Sequence, residues 1–491
     1  MYLQVLTTMI NIKVIFLIAL GTLSGIYVGA IPGLSVTMAT AILISFTFSW
    51  DLLDALAMMV GVYCGGVYGG SRSAILLNIP GAPAAIATVF DGYPLALKGK
   101  AGIAIGLATT QSVIGGMLGT LSLAVAAPLV SNFALKFAPR DYLLLAMLGL
   151  MMVSSLCGES IAKGIFAVSL GVLLGMVGMD PFTGQGRFTF GNISLMVGIN
   201  YVAAMIGLFG ISEVFVQVHN IFTKPIRQEV DKIIPSWELI TSYFYLTIKS
   251  SLIGIFIGAL PGTGGDIAAL FAYDHAKRTT KNPVVPFGQG AYEGVIAPET
   301  ANNAAIGGAF IPMLTLGIPG DAVTAILIGA LFIHGLKPGP MLMIETPHLF
   351  YFIVISLFIS NIFLLLFGLT GIKMFAKITE APKYILLPCI LLISLVGAYA
   401  TTNNMEDVWW ALGFGLLGYI FKMYDIQVGP IILGIILGPL LDTSYRRAMM
   451  AAHNNIWTFF ANFFSSPISI ALVIFLFIMF YQSIKFSKRI T

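Results

Sequence analysis

From Val14 to Trp50 the chain runs for 37 residues without one Asp, Glu, Lys or Arg. As a single helix that run would be about 55 Å long at 1.5 Å per residue, well beyond the roughly 30 Å hydrocarbon core of a bilayer. It must therefore break. Pro32-Gly33 is where the backbone can do so, because proline has no N–H to give the helical ladder and glycine has no Cβ. Further charge-free runs follow at Ala101–Leu135, Leu349–Ile372, Ile426–Leu441 and Ala448–Ile484. Only 9% of the residues are charged and 58% are hydrophobic, against about 25% charged in a soluble domain. The spacing predicts an all-α polytopic membrane protein with about 12 transmembrane segments. The first span is expected to stay as an anchor, since only Lys13 stands before it and no small-residue cleavage site follows.

Several function classes drop out on residue chemistry. The 25 basic and 21 acidic residues are scattered, so no nucleic-acid partner is expected. Cys64, Cys157 and Cys389 lie far apart and make neither a metal-ligand spacing nor a disulfide framework. The five histidines form no zinc pattern and no triad. The Gly262–Gly265 cluster lacks the strand and spacing of a dinucleotide fingerprint, and there is no Gly-Lys-Ser/Thr phosphate loop. No organic cofactor is expected.

The chain repeats itself. Gly25-Ile-Tyr-Val-Gly-Ala-Ile-Pro-Gly33 returns as Gly254-Ile-Phe-Ile-Gly-Ala-Leu-Pro-Gly262, with six of nine residues identical. Gly69-Gly70, an apolar stretch and Ile79-Pro80-Gly81 return as Gly307-Gly308, an apolar stretch and Ile318-Pro319-Gly320. The order is kept, which divides the chain into a first half, 1–222, a polar linker, 223–238, and a second half, 239–491. The loop after the first Pro-Gly break, Ser49-Trp-Asp-Leu-Leu-Asp54, is acidic. Its counterpart after the third break, Asp274-His-Ala-Lys-Arg-Thr-Thr-Lys281, is basic. The positive-inside bias then puts the two loops on opposite sides. The expectation is two inverted repeats with Pro-Gly-broken helices or hairpins, an architecture of secondary transporters.

Each Pro-Gly break leaves N–H and C=O groups unpaired at membrane depth, tolerable only in a protein interior or a polar cavity. A half-helix N-terminus facing such a cavity favours an anion. The four tips, Pro32-Gly33, Pro80-Gly81, Pro261-Gly262 and Pro319-Gly320, are therefore expected to surround one carboxylate-bearing substrate. Ser35, Thr37, Ser71, Asn78, Thr263, Asn302 and Asn303 stand close to the tips and can bind a carboxylate without burying a charge. Each hydroxyl has a second reading, as a local partner of its own helix backbone. Asn302 and Asn303 should point about 100° apart on a helix, one toward the substrate and the other onto a neighbouring broken backbone. Asp266 and Thr315 are read as ion-coupling residues, Asp266 holding a proton or Na⁺; the alternative for Asp266 is a capping carboxylate. Arg72, beside Gly69-Gly70, is read as an interfacial side chain snorkelling outward, with contact to an anion as the alternative.

The same residues carry a family resemblance. Gly29-Ala-Ile-Pro-Gly-Leu34, Tyr68-Gly-Gly-Ser71, Leu76-Leu-Asn-Ile-Pro-Gly81 and Asp91-Gly-Tyr-Pro94 resemble the large permease subunit of the tripartite tricarboxylate transporters, the TctA family. In the second half the resemblance continues in Gly290-Ala-Tyr-Glu-Gly294, Ala297-Pro-Glu-Thr-Ala-Asn-Asn-Ala-Ala305, Leu314-Thr-Leu-Gly-Ile-Pro-Gly320 and His334-Gly-Leu-Lys-Pro-Gly-Pro340. It implies a multi-pass permease of the bacterial inner membrane, surrounded by lipid. Its implied partners are a small membrane subunit and a periplasmic solute-binding protein. Uptake of a di- or tricarboxylate or related organic acid would be driven by an ion gradient. Two residues depart from the family pattern: Ile79 replaces a Thr before Pro-Gly, and Asp266 stands where relatives are small or neutral. The rival classes are an organic-anion channel, which would favour a continuous polar stripe, and a membrane-embedded enzyme, for which no catalytic constellation is visible.

Overall fold

The computed structural model describes residues 11–31, 34–78, 80–155, 161–218, 234–281, 283–371 and 383–490. Pro32, Gly33, Ile79, the end of the expected first half (219–222) and most of the expected linker (223–233) lie outside the described residues. The rest is almost wholly helical, the sole strands among the described residues being the two-residue pair Gly178–Met179 and Gly186–Arg187. The first half contains α1 (Ile12–Ala30), α2 (Val36–Thr47), α3 (Leu52–Leu77), α4 (Ile86–Leu97, entered through a 3-10 turn at Pro83–Ala85) and α5 (Ala101–Ala134). Three more helices complete it: α6 (Pro139–Ser155), α7 (Ile161–Gly175) and α8 (Tyr201–Val218, with a π-helical turn at Ile206–Ile211). In the second half come α9 (Phe244–Gly258), α10 (Gly264–Thr279), α11 (Glu293–Leu316), α12 (Ala322–Ile333) and α13 (Pro347–Thr370). Behind them lie α14 (Lys383–Thr402), α15 (Met405–Met423), α16 (Gly429–Ala451), α17 (Ile456–Asn462) and α18 (Pro467–Ile490).

Among the described residues five helices are long and apolar enough to cross a membrane: α1, α3, α5, α8 and α13. The pair α17–α18, bent by 92°, would make a sixth. Charge-free spacing predicts about 12 crossings, one for each apolar stretch. Several of those stretches fold as helices too short to span alone, among them α2, α9 and α12. The chain ends each of them at a tip or turns at a loop, so two short elements share one stretch of sequence. The physical cause is the one that forbids a 37-residue helix: Pro-Gly interrupts the ladder.

Two runs of five helices, α1–α5 and α9–α13, follow the same order, and their closest backbone approaches recur at equivalent residues. A Cβ on Gly25 or Gly29 would overlap the carbonyl oxygen of Val62 or Gly66 on α3. On the equivalent Gly254 or Gly258 it would overlap Ala301 or Ala305 on α11. Gly69 lies on the Ile26 carbonyl and Gly308 on the Ile255 carbonyl, so Gly69 corresponds to Gly308, one residue on from the pairing that the sequence suggests. Small residues let the backbones approach to this distance, the usual basis of helix association in lipid. The tips obey the same correspondence. After α3 the chain turns at Asn78, φ 59°, and after α11 at Gly317, φ 71°. Both are left-handed helix caps followed two residues later by proline.

The two halves are joined by polar bridges as well as by packing. Asp91 on α4 accepts the amides of Gly288, Gly290 and Ala291 on one oxygen, at 2.9, 2.8 and 2.8 Å, and the Tyr273 hydroxyl on the other, at 3.0 Å. Arg72 does not snorkel. It is 1% exposed, and its guanidinium donates to the Phe367 and Gly368 carbonyls at the C-terminal end of α13 and to the Tyr68 hydroxyl. A helix C-terminus offers unpaired carbonyls and a negative dipole end, which satisfies a cation in place of water. We expect Arg72→Met to lower thermal stability by about 2–3 kcal/mol, because it strands these carbonyls where water cannot reach. A melting temperature equal to the parent's would show that the bonds contribute nothing.

Candidate substrate and ion site

Three of the four tips meet. At the third, Pro261 and Gly262 (φ 78°) end α9, and Gly264 (φ 62°) opens α10 against the Asp321 side chain, just beyond the fourth tip. Asp321 caps α12 through a reciprocal box with Thr324: its carboxylate accepts the Thr324 amide at 2.8 Å, and its own amide donates to the Thr324 hydroxyl at 2.9 Å. The other Asp321 oxygen accepts the Tyr63 hydroxyl from α3. Asp266, in the first turn of α10, is exposed; it lies near Ala84 of the 3-10 turn behind the second tip and close enough to Asp321 for mutual repulsion. Gly81 of the second tip packs on the Gly29 carbonyl, as Gly320 of the fourth packs on that of Gly258. The first tip is outside the described residues, but the end of α1 that leads into it is thus in contact with the second.

The sequence-derived candidates divide by what their polar atoms do. Ser35 caps α2, its hydroxyl accepting the Met38 amide at 3.0 Å. Thr263 donates to the Ile257 and Leu260 carbonyls and so holds the broken end of α9. Thr315 donates to the Ile311 carbonyl at 2.7 Å, within its own helix. Asn78 is the exposed left-handed cap of α3, and Thr37 is half-buried on α2. Asn302 fills the junction: its amide donates to the Val67 carbonyl of α3 at 3.3 Å, and its oxygen lies over Gly265 of α10. Asn303 points elsewhere, donating to the Glu299 carbonyl at 3.2 Å, with no partner for its buried oxygen among the described residues. Ser71 donates to the Glu299 carboxylate. Pro80, Pro261 and Gly262 are half-buried, while Gly81, Pro319 and Gly320 are buried. Two open pockets, about 270 and 160 Å³, lie between α5 and α9 and beside Pro347, and no tip residue lines either.

Tyr63, Asp321, Glu299 and Asp91 are the residues that motif reasoning passed over. The signal for the acids was present, since an ionisable residue inside an apolar stretch marks a functional position by default. Glu299 meets that condition as fully as Asp266 does. Tyr63 carried no such signal: its counterpart in the second half is Asn302, and only the three-dimensional repeat reveals the equivalence.

Beyond this geometry stand the matches to other chains. The profile of the tripartite tricarboxylate transporter TctA family matches residues 15–433. The chain belongs to that family. A relative from Agrobacterium vitis, described as an uncharacterized 52.8 kDa protein in the TAR-I ttuC' 3' region, is 38% identical over 456 residues, 92% of this chain and 89% of that protein. A second from the same organism, an uncharacterized protein in the TAR-II ttuC' 3' region, is 39% identical over 220 residues, 45% of this chain and 89% of its own length. No solved structure matches the chain. TctA is a family of tripartite-transporter permeases; membership with several apolar helices points to a multi-pass membrane protein and implies a periplasmic binding protein and a small membrane subunit as companions.

Proposed function

We propose that this TctA permease takes up a di- or tricarboxylate or related organic acid across the bacterial inner membrane. It does so by alternating access of two inverted repeats, about 12 crossings in all, coupled to a Na⁺ or H⁺ gradient. The observation that carries the reading is the junction of three Pro-Gly tips around Asn302, Asp266 and Asp321. The starts of α10 and α12 bring the positive ends of two half-helices to that point, the kind of feature that receives a carboxylate in broken-helix transporters. The two acids at the same point oppose an anion until a cation or proton neutralises them. Substrate binding then requires the ion, which is what coupling means. A channel reading lacks any observation in its favour.

Expected results follow for reconstituted protein. Removing the cation gradient should abolish accumulation but leave counterflow, and Asp266→Asn should erase the dependence of substrate affinity on the ion. Asn302→Ala should weaken substrate binding by about 1–3 kcal/mol, the usual effect of one lost buried partner. The permease alone should take up substrate poorly at micromolar concentration, and the binding protein should restore uptake. Absence of counterflow with any carboxylate would overturn the reading.

A further inference from the structure

Glu299 lies in the middle of α11 and is 1% exposed. Ser71 of α3 and Thr88 of α4 donate to one of its oxygens, and Ser112 of α5 donates to the other at 3.0 Å. A serine or threonine in an apolar helix ordinarily turns back to the carbonyl four residues earlier, as Thr109, Thr120, Thr300 and Thr315 do here. The three hydroxyls around Glu299 have left that arrangement and point at one carboxyl group. All three come from the first half of the chain, and Glu299 from the second.

Among the described residues no Lys, Arg or His makes an ion pair with Glu299. Of the helices packed on α11, α5 and α12 carry no ionisable residue between their ends. From α3, Arg72 is turned to the carbonyls of α13 and Asp54 to Lys13, while from α4 Asp91 is turned to the loop amides. On α9, Lys249 lies over the Tyr245 ring. On α10, Asp266 faces Ala84, and Asp274 pairs with Arg278 near the far end, where His275 and Lys277 also lie. Glu293 stands at the start of α11 itself, and Glu345 ends the short turn Leu342–Glu345 packed beside it. A buried carboxylate without a counter-cation is costly and tends to take up a proton instead. A hydroxyl can donate or accept, so this pocket is furnished for both forms.

We propose that Glu299, with Ser71, Thr88 and Ser112, is a proton-exchange site at the contact between the two halves, through which a proton gradient drives uptake. With the halves as they stand, three donated hydrogen bonds hold the carboxylate. When the halves separate, the donors withdraw and a proton adds to one carboxyl oxygen. On closure the three donors return to the carboxylate and that proton leaves to water on the cytoplasmic side, the direction in which an inward gradient drives it. The inference rests on the transport reading above and deepens it, adding a third ionisable group to the two acids at the tips.

The test uses the permease with its small membrane subunit in proteoliposomes, with the solute-binding protein supplied. Counterflow at equal pH on both sides reports transport itself, and accumulation driven by an inward proton gradient reports coupling. For Glu299→Gln the ratio of driven accumulation to counterflow should fall by about tenfold or more, as expected when an obligatory intramembrane proton site is neutralised. A ratio equal to the parent's, with both activities lowered together, would reduce Glu299 to a structural residue and overturn the proposal. So would a parent protein whose counterflow is robust but whose accumulation ignores the proton gradient. Failure of counterflow in the parent would instead strike the transport reading. Should Glu299→Gln not assemble, Ser112→Ala decides. It keeps the carboxyl and removes one donor to the ionised form, so the pH profile of driven uptake should move alkaline by about one unit. An unmoved profile overturns the proposal.

Discussion

Asp91→Ala should be the most damaging single substitution outside the site, lowering stability by about 4–6 kcal/mol and the melting temperature in detergent by on the order of 10 °C. Asp91 is fully buried, and one of its oxygens accepts three loop amides, Gly288, Gly290 and Ala291, while the other accepts the Tyr273 hydroxyl. Hydrogen bonds to a charged acceptor contribute about 1.5–3 kcal/mol each, and a donor left unpaired in the interior loses more than the bond. The loop leads directly into α11, which carries Asn302 and Glu299, so its release should also reduce transport. Asp91→Asn should be milder, because the amide oxygen can stay on the three N–H groups while its NH₂ donates to the Tyr273 hydroxyl. Equal losses for Ala and Asn would mean that charge, not acceptor geometry, sets the effect. An Ala variant as stable as the parent would mean that the loop is held by other contacts. Thermal melting of both variants decides among these outcomes.

Gly258→Leu should be nearly as severe, about 3 kcal/mol or more, the range for forced overpacking of a close-packed interface. At Gly258 the backbone of α9 rests on the Ala305 carbonyl of α11, and the Gly258 carbonyl in turn supports Gly320 of the fourth tip. Added bulk must push α9 off α11 and with it displace the tip. Gly29→Leu should give a matching loss, since Gly29 meets the Gly66 carbonyl and supports Gly81 in the same way. The control is Gly413→Leu on α15, where an added Cβ meets nothing within 4 Å, and where stability should be within about 0.5–1 kcal/mol of the parent. Expression level and melting temperature of the three variants measure the effect. Similar values for Gly258→Leu and Gly413→Leu would dismiss the close approach as unimportant.

Much of this molecule was determined by its sequence alone. Charge-free runs longer than a bilayer require interruption, and proline followed by glycine can supply it only where the sequence puts it. Membrane residence, helical class, the two-part repeat and the four tips all follow from covalent chemistry and local spacing. So does the family, whose motifs are the tips themselves. The partners of the polar side chains do not follow, because a local pattern cannot distinguish a hydroxyl that caps its own helix, as Ser35 does, from one that crosses to another, as Ser71 does. Arg72 shows the same limit: sequence spacing suggests an interfacial cation, and only the arrival of the α13 C-terminus makes an interior guanidinium tolerable. Tyr63 and Asn302 became equivalent, and Asp321 met Gly264, only once α1 had packed on α3 and α9 on α11. The tertiary structure decided which groups face each other because, in a medium without water, every buried polar atom must find its partner on another segment or on its own backbone.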